Sequence, residues 1–288
     1  MMLDLNPVSL FQQVWQYQFM QHAIETSLMI SIVAGVTGYF VVLRRSAFVA
    51  HAYSEIGFAG ASAAILVGME PLLGLLLGSV AGGIAISALG RRMKDRDTQI
   101  GIVLAFALGL GLLFISLYKA FSTAAISILF GEILGISTSE VQFTFIAGAG
   151  ILLAMGFLHR PLLFASLDEE VAEAKGMPLL FLGTAFMLIV AVAVSVAIQV
   201  TGVLLIFSLM VTPAATAQYL SRRPQWAIMI SVGISLVATQ VGLVAAYFSP
   251  YPVSFFITGF VFVLYLLVRL AQGLAQRRTQ PRPRAAPA

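Results

Sequence analysis

Few side chains in this sequence can do chemistry. Its 288 residues hold three histidines, twelve acids and no cysteine, which excludes thiol nucleophiles, disulfides and thiolate metal sites. His51 and Glu55 stand out, in the stretch RRSAFVAHAYSEIGFAG at 44–60. Residues four apart share a helix face, and this pair sits at the start of an otherwise apolar segment. A carboxylate within a bilayer is costly and marks a functional site by default. An imidazole one turn away sharpens that into a cation or proton site, since imidazole suits transition metals and carboxylate suits most divalent cations. Protons would compete with a metal held there, because imidazole must be neutral to offer its lone pair. The plainer reading is a polar helix end near the cytoplasmic interface, with both side chains partly solvated.

The elements that must position this pair are membrane helices. With 60% hydrophobic and only 10% charged residues and a mean hydropathy of +0.98, the chain reads as an all-α polytopic membrane protein. A span needs about 20 apolar residues. Nine segments qualify, at 24–43, 50–69, 72–90, 100–118, 141–158, 179–198, 201–219, 226–248 and 252–270. The sixth and seventh are so close that one of them is short or broken, so about 8–9 transmembrane helices are expected. An N-terminus on the outside puts fifteen of the sixteen basic residues on the cytoplasmic side, leaving only Lys119 out, as the positive-inside rule demands. The net charge of +4 then reflects loop bias, not a nucleic-acid surface. Residues 1–275 read as one membrane domain. Within it, residues 1–22 form an N-terminal interfacial segment, amphipathic over 8–22. No Lys or Arg precedes its apolar residues, so a cleaved signal peptide is not expected. The Arg- and Pro-rich residues 276–288 read as a disordered cytoplasmic tail.

Other positions invite a role. The segment AISILFGEILGI at 125–136 is apolar but too short to cross; it reads as a re-entrant or interfacial helix carrying Glu132 as a candidate pathway residue. Thr212 and Pro213 lie within a span, where a proline kink with hydroxyl rescue of freed backbone groups is expected. Gln199 and Gln240 suit interhelical hydrogen bonds. His22 and Glu25 read as solvated flanks. In the loop RPLLFASLDEEVAEAKGMP, Asp168, Glu169, Glu170 and Glu173 open a short helix that Gly176 stops. Such a helix has no lipid to meet, so it is either simply solvated or docks on a cytoplasmic partner.

Several of these stretches resemble one family, the membrane permease subunits of ABC importers for zinc, manganese and iron. Val42, Leu43, Arg44 and Arg45 are similar to its V-L-R-R. Aligned from there, His51 stands where the family has Asp, Glu55 where it has His, Ala59 where it has the Pro and Gly60 the Gly of its Pro-Gly turn, so acid and imidazole are exchanged. DTQIGIVL at 97–104 resembles D-T-A-I-G-I-V, and FGEILGIS at 130–137 resembles F-G-S-I-L-x-x-S with Glu132 departing. Residues 172–176 resemble the A-x-A-x-G coupling helix, and QVTGVLLIFSLMVTPAATA at 199–217 matches a long family motif. The resemblance runs from about 19 to 266. It implies a type II ABC importer permease that forms a homodimer with two ATPase subunits and an extracytoplasmic metal-binding protein. No permanent cofactor is implied, and zinc, manganese or iron is the transported ion. His51 and Glu55 would meet the metal, Thr212 and Pro213 would lie near its pathway without binding it, and Asp168, Glu169, Glu170, Glu173 and Gly176 would couple to the ATPase. The chain has no G-x-x-x-x-G-K-[ST], so ATP is hydrolysed on another subunit.

Two rivals come from other classes. One is a stand-alone secondary transporter driven by protons or sodium, with Glu55 titrating. The other is an intramembrane enzyme, which lacks H-E-x-x-H and any G-x-S-x-G with a histidine partner.

Overall fold

A computed structural model describes residues 16–88, 96–118, 128–129, 131 and 135–279. The described residues form ten α-helices and no strand: α1 Gln18–Leu43, α2 Ala47–Leu66, α3 Pro71–Ala88, α4 Arg96–Ser116, α5 Thr138–Leu167, α6 Glu169–Ala174, α7 Leu179–Thr201, α8 Val203–Leu220, α9 Pro224–Tyr247 and α10 Val253–Thr279. Each of the nine apolar segments in the sequence falls on one of the nine long helices. Six of these, α1, α5, α7, α8, α9 and α10, are long and apolar enough to cross a membrane, whereas α3 and α4 hold apolar stretches of only 16 and 17 residues, 71–86 and 100–116. The backbone explains the helical choice, since a lipid-exposed segment must satisfy its N–H and C=O groups internally. Much of the expected interfacial segment 1–22 lies outside the described residues, but 18–22 already belong to α1. At the other end α10 continues to Thr279, into the segment expected to be a disordered tail.

Several of the helices end at a left-handed residue. Gly68 and Gly176, at φ of 75° and 70°, close α2 and α6 with the paired 6→1 and 5→2 bonds of a Schellman motif: Met69 N–H to Ala64 O (2.8 Å) and Met177 N–H to Ala172 O (3.1 Å) are the longer-range members. The same motif closes α1, but there the left-handed residue is Arg45, at φ 53°, with Ser46 N–H bonded to Val41 O at 2.8 Å and Arg45 N–H to Val42 O at 3.1 Å. A non-glycine residue there costs about 1–2 kcal/mol. The turn between α1 and α2 is therefore tight and held by packing rather than local preference.

Helix α1 is the axis of the bundle and packs on α9, α8, α5 and α7. Two-thirds (67%) of its spanning window is buried, against 11% for the peripheral α10. Helix α2 packs between α3, α4, α7 and α8. Lipid tails are as apolar as leucine, so close packing and hydrogen bonds must hold such helices together. Gly60 of α2 and Gly74 of α3 supply the close approach: a Cβ on either would strike the other's carbonyl oxygen. Hydroxyls and an amide tie α1 to α9, with Ser31 and Thr239 at 2.8 Å, Gln240 Nε2 donating to Ser27 Oγ at 3.0 Å, and Ser231 Oγ donating to Gly35 O at 3.0 Å. Gln240 is thus an interhelical partner as its residue type suggested; the Gln199 side chain lies outside those described.

Candidate functional site

Helix α2 carries both candidate ligands. Ser46 precedes it without capping it through its side chain, and the tight turn at 44–46 brings the chain straight from α1 into the first turn. His51 lies one turn in and is half-buried. Its ring packs on Phe207 of α8, with centroids 4.9 Å apart and planes at 56°. One turn further on, Glu55 is only 5% exposed, which rules out the solvated helix-end reading for the carboxylate. His51 Nδ1 and Glu55 Oε2 are both buried atoms without a hydrogen-bond partner. Buried polar atoms are nearly always paired, so an orphaned pair calls for a specific explanation, an ion or water being the usual one. Both atoms are of a type that can bind a cation, they lie one turn apart on α2, and both are left unsatisfied. Among the described residues no group of three His, Asp or Glu side chains lies close enough to hold a metal.

The other sequence candidates sit elsewhere. Pro213 is buried in α8, which runs unbroken from Val203 to Leu220. Proline has no N–H to offer the carbonyl four residues back. The hydroxyl that meets that carbonyl, Leu209 O, is Ser235 Oγ of α9 at 3.5 Å, so the rescue comes from the neighbouring helix and not from Thr212. Thr212 O accepts instead from Thr216 Oγ1 at 2.8 Å. Glu132 lies outside the described residues. Its neighbour Gly131 is left-handed (φ 76°) and packs so closely on the turn between α7 and α8 that a Cβ would sit 2.6 Å from Gly202 N. Gly131 and residues 200–202, from two stretches singled out in the sequence, therefore meet. His22, expected as a solvated flank, is partly buried, with Nδ1 2.9 Å from Ile136 O.

The acidic loop forms α6 with the expected start and stop. Asp168 caps both helices: it ends α5, and its Oδ1 accepts from Val171 N at 3.0 Å to begin α6. Glu169, Glu170 and Glu173 are exposed. Ala172 is fully buried and anchors α6 in a small apolar cluster with Ala165, Leu179 and Leu182. The Lys175 ammonium lies 4.9 Å over the Phe164 ring. The element therefore shows acids outward while its inner face is fixed to the ends of α5 and α7.

Residues 16–272 match the ABC 3 transport family. The chain belongs to that family. It is therefore a multi-pass membrane protein of the plasma membrane and a transport subunit, not an enzyme. The permease is 31% identical over 233 residues to the manganese transport system membrane protein MntC of Listeria innocua, covering 81% of this chain and 83% of that one. It is 31% identical over 234 residues to the manganese import system permease protein ScaB of Streptococcus parasanguinis, with the same coverage of 81% and 83%. Among solved structures it is similar to PsaBC from Streptococcus pneumoniae in complex with Fab, at a TM-score of 0.82 and 28% identity over 91% of this chain and 94% of that one.

Phe207 was not legible as part of the site. It sits in the long motif at 199–217 as one apolar residue among many, and only helix packing places it on the imidazole.

Proposed function

We propose that this permease forms the translocation pathway of an ATP-driven importer of divalent metal ions, with manganese the foremost substrate and zinc or iron as alternatives. The observation that carries the reading is the buried pair on α2, His51 Nδ1 and Glu55 Oε2, one turn apart and without partners. A hard carboxylate oxygen favours manganese, and imidazole nitrogen admits zinc and iron as well. The names of the curated relatives support manganese. Two copies of the chain related by a two-fold axis would bring two His and two Glu side chains together, enough for a four-ligand shell. A homodimer is therefore part of the proposal.

The finer membrane arrangement belongs to the same reading. All nine long helices, α2, α3 and α4 included, cross in a type II arrangement, with the N-terminus outside. Glu132 lies near the pathway. Glu169, Glu170 and Glu173 on α6, capped by Asp168 and stopped by Gly176, dock on a separate ATPase at the cytoplasmic face, and an extracytoplasmic protein delivers the metal.

The test is ATP hydrolysis by the complex of permease and ATPase, purified together and reconstituted in liposomes with the delivery protein. Hydrolysis stimulated by manganese, with ion uptake that needs ATP, is the expected result. Uptake by the permease alone under a proton or sodium gradient would establish the secondary-transporter reading in its place.

A further inference from the structure

The paired arginines between α1 and α2 have no part in the function described so far, and Arg44 occupies an unusual place. It caps the C-terminus of α1 and precedes the first residue of α2 by only three positions. Its guanidinium Nη1 donates to Ser166 Oγ on the last turn of α5 at 3.2 Å. Ser166 Oγ in turn donates to Leu162 O at 2.5 Å, which leaves its lone pairs facing the arginine. The guanidinium also lies 5.5 Å from the ring centre of Phe186 on α7, a side chain with no exposed surface. Arg44 thus joins three helices, and two of them are the ones that hold α6.

We infer that Arg44, through Ser166 and Phe186, is the positioning residue that transmits movement of α6 to the metal-binding pair on α2. The inference rests on the reading of α6 as the ATPase-docking element. Slack is missing at each joint. Asp168 ends α5 and starts α6 as one residue, so α6 cannot tilt without the end of α5. The buried Ala172 clamps α6 to Ala165 of α5 and Leu179 and Leu182 of α7. Ser166 lies within this unit, and Phe186 follows Leu182 by about one turn of α7. On the other side, the Schellman turn bonds Ser46 N–H to Val41 O and Arg45 N–H to Val42 O, with Arg45 held left-handed. A shift of Arg44 therefore moves the start of α2, and His51 is only one turn beyond it. Direct packing of α2 on α1 is slight, so the start of α2 has little else to hold it to α1. A planar guanidinium suits the role because it bonds at its edge and stacks on its face at once, which an ammonium cannot do.

The test uses the full complex in liposomes, with Arg44→Ala, Ser166→Ala and the double variant. For each, three quantities are read: ATPase co-purification, basal ATP hydrolysis, and the stimulation of hydrolysis by manganese with its delivery protein. The inference predicts unchanged co-purification and basal rate, with manganese stimulation reduced about fivefold or more, the scale of an allosteric coupling. The double variant should be no worse than the worse single one, because the two side chains act through one contact. Ser166→Thr, which keeps the hydroxyl, should restore stimulation. Should Arg44→Ala fail to fold, Ser166→Ala decides alone. Full manganese stimulation in Ser166→Ala would overturn the inference. So would loss of ATPase co-purification in that variant, since it would assign Ser166 to docking. Failure of the α6 reading is distinguishable, because it appears as unchanged co-purification in Glu173 and Gly176 variants.

Discussion

Replacing Gly60 by alanine tests whether α2 is held in place by contact of its backbone with α3. A Cβ at Gly60 would overlap the Gly74 carbonyl oxygen and lie 3.1 Å from Gly78 Cα; a Cβ at Gly78 would lie 3.0 Å from Ile56 O. Every obstacle is backbone, so no side-chain rotation relieves it, and the helices must separate. Overpacking of this kind costs about 1–3 kcal/mol. Obstacles that are all backbone put the cost at the upper end of that range, and alanine gains back up to about 1 kcal/mol over glycine in a helix interior, which leaves a net loss of about 2 kcal/mol and a melting point lowered by roughly 4–8 °C. Gly150→Ala on α5 is the matched control, because nothing lies within 4 Å of a Cβ there and only the propensity gain remains. Detergent-purified protein would be heated in steps and the soluble fraction measured by size-exclusion chromatography. If Gly60→Ala melted at or above the parent, together with Gly150→Ala, the argument that this glycine seam sets the position of α2 would be refuted.

The remaining expectations concern assembly and the site. Replacing Glu173 and Gly176 together should release or uncouple the ATPase while the permease still reaches the membrane, measured by co-purification and uptake; unchanged values for both would count against α6 as the docking element. Native mass measurement in detergent should give two copies of the chain per complex, and a monomeric, transport-competent particle would remove the shared-site proposal. Exchanging the ligands, with His51→Asp and Glu55→His, keeps an acid and an imidazole one turn apart. It should retain measurable uptake with an altered order of preference among manganese, zinc and iron, whereas complete inactivity of a folded exchange variant would argue against interchangeable ligands.

The helical body was legible because lipid imposes a coarse and strict rule, an apolar run of sufficient length for each crossing. The start and stop of α6 were legible for a local reason: Asp168 and Gly176 perform their roles within a few residues of themselves. What stayed hidden depends on which helices face one another. Nothing in the stretch around Phe207 distinguishes it from its apolar neighbours before α8 is laid on α2. Thr212 was the natural guess for the hydroxyl beside Pro213, yet Ser235 of α9 reaches Leu209 O. His22 looked like a solvated flank until Ile136, just before α5, proved to meet it. The depth of Glu55 was hidden for the same reason. The sequence left an intramembrane and an interfacial carboxylate both open, and only the helices around α2, which bury it to 5% exposure, decide between them.

The central claim is that His51 and Glu55 meet the transported metal, and uptake of radioactive manganese by cells carrying His51→Ala or Glu55→Ala tests it most directly. Expression and melting point should be matched to the parent, since neither side chain has a hydrogen-bond partner at its orphaned atom whose loss would unfold the protein. Each variant is predicted to lose most of its uptake, with the loss deeper for Glu55→Ala because it removes the charge that offsets the cation. Uptake at the parental rate in both variants would contradict the account and place the metal site elsewhere.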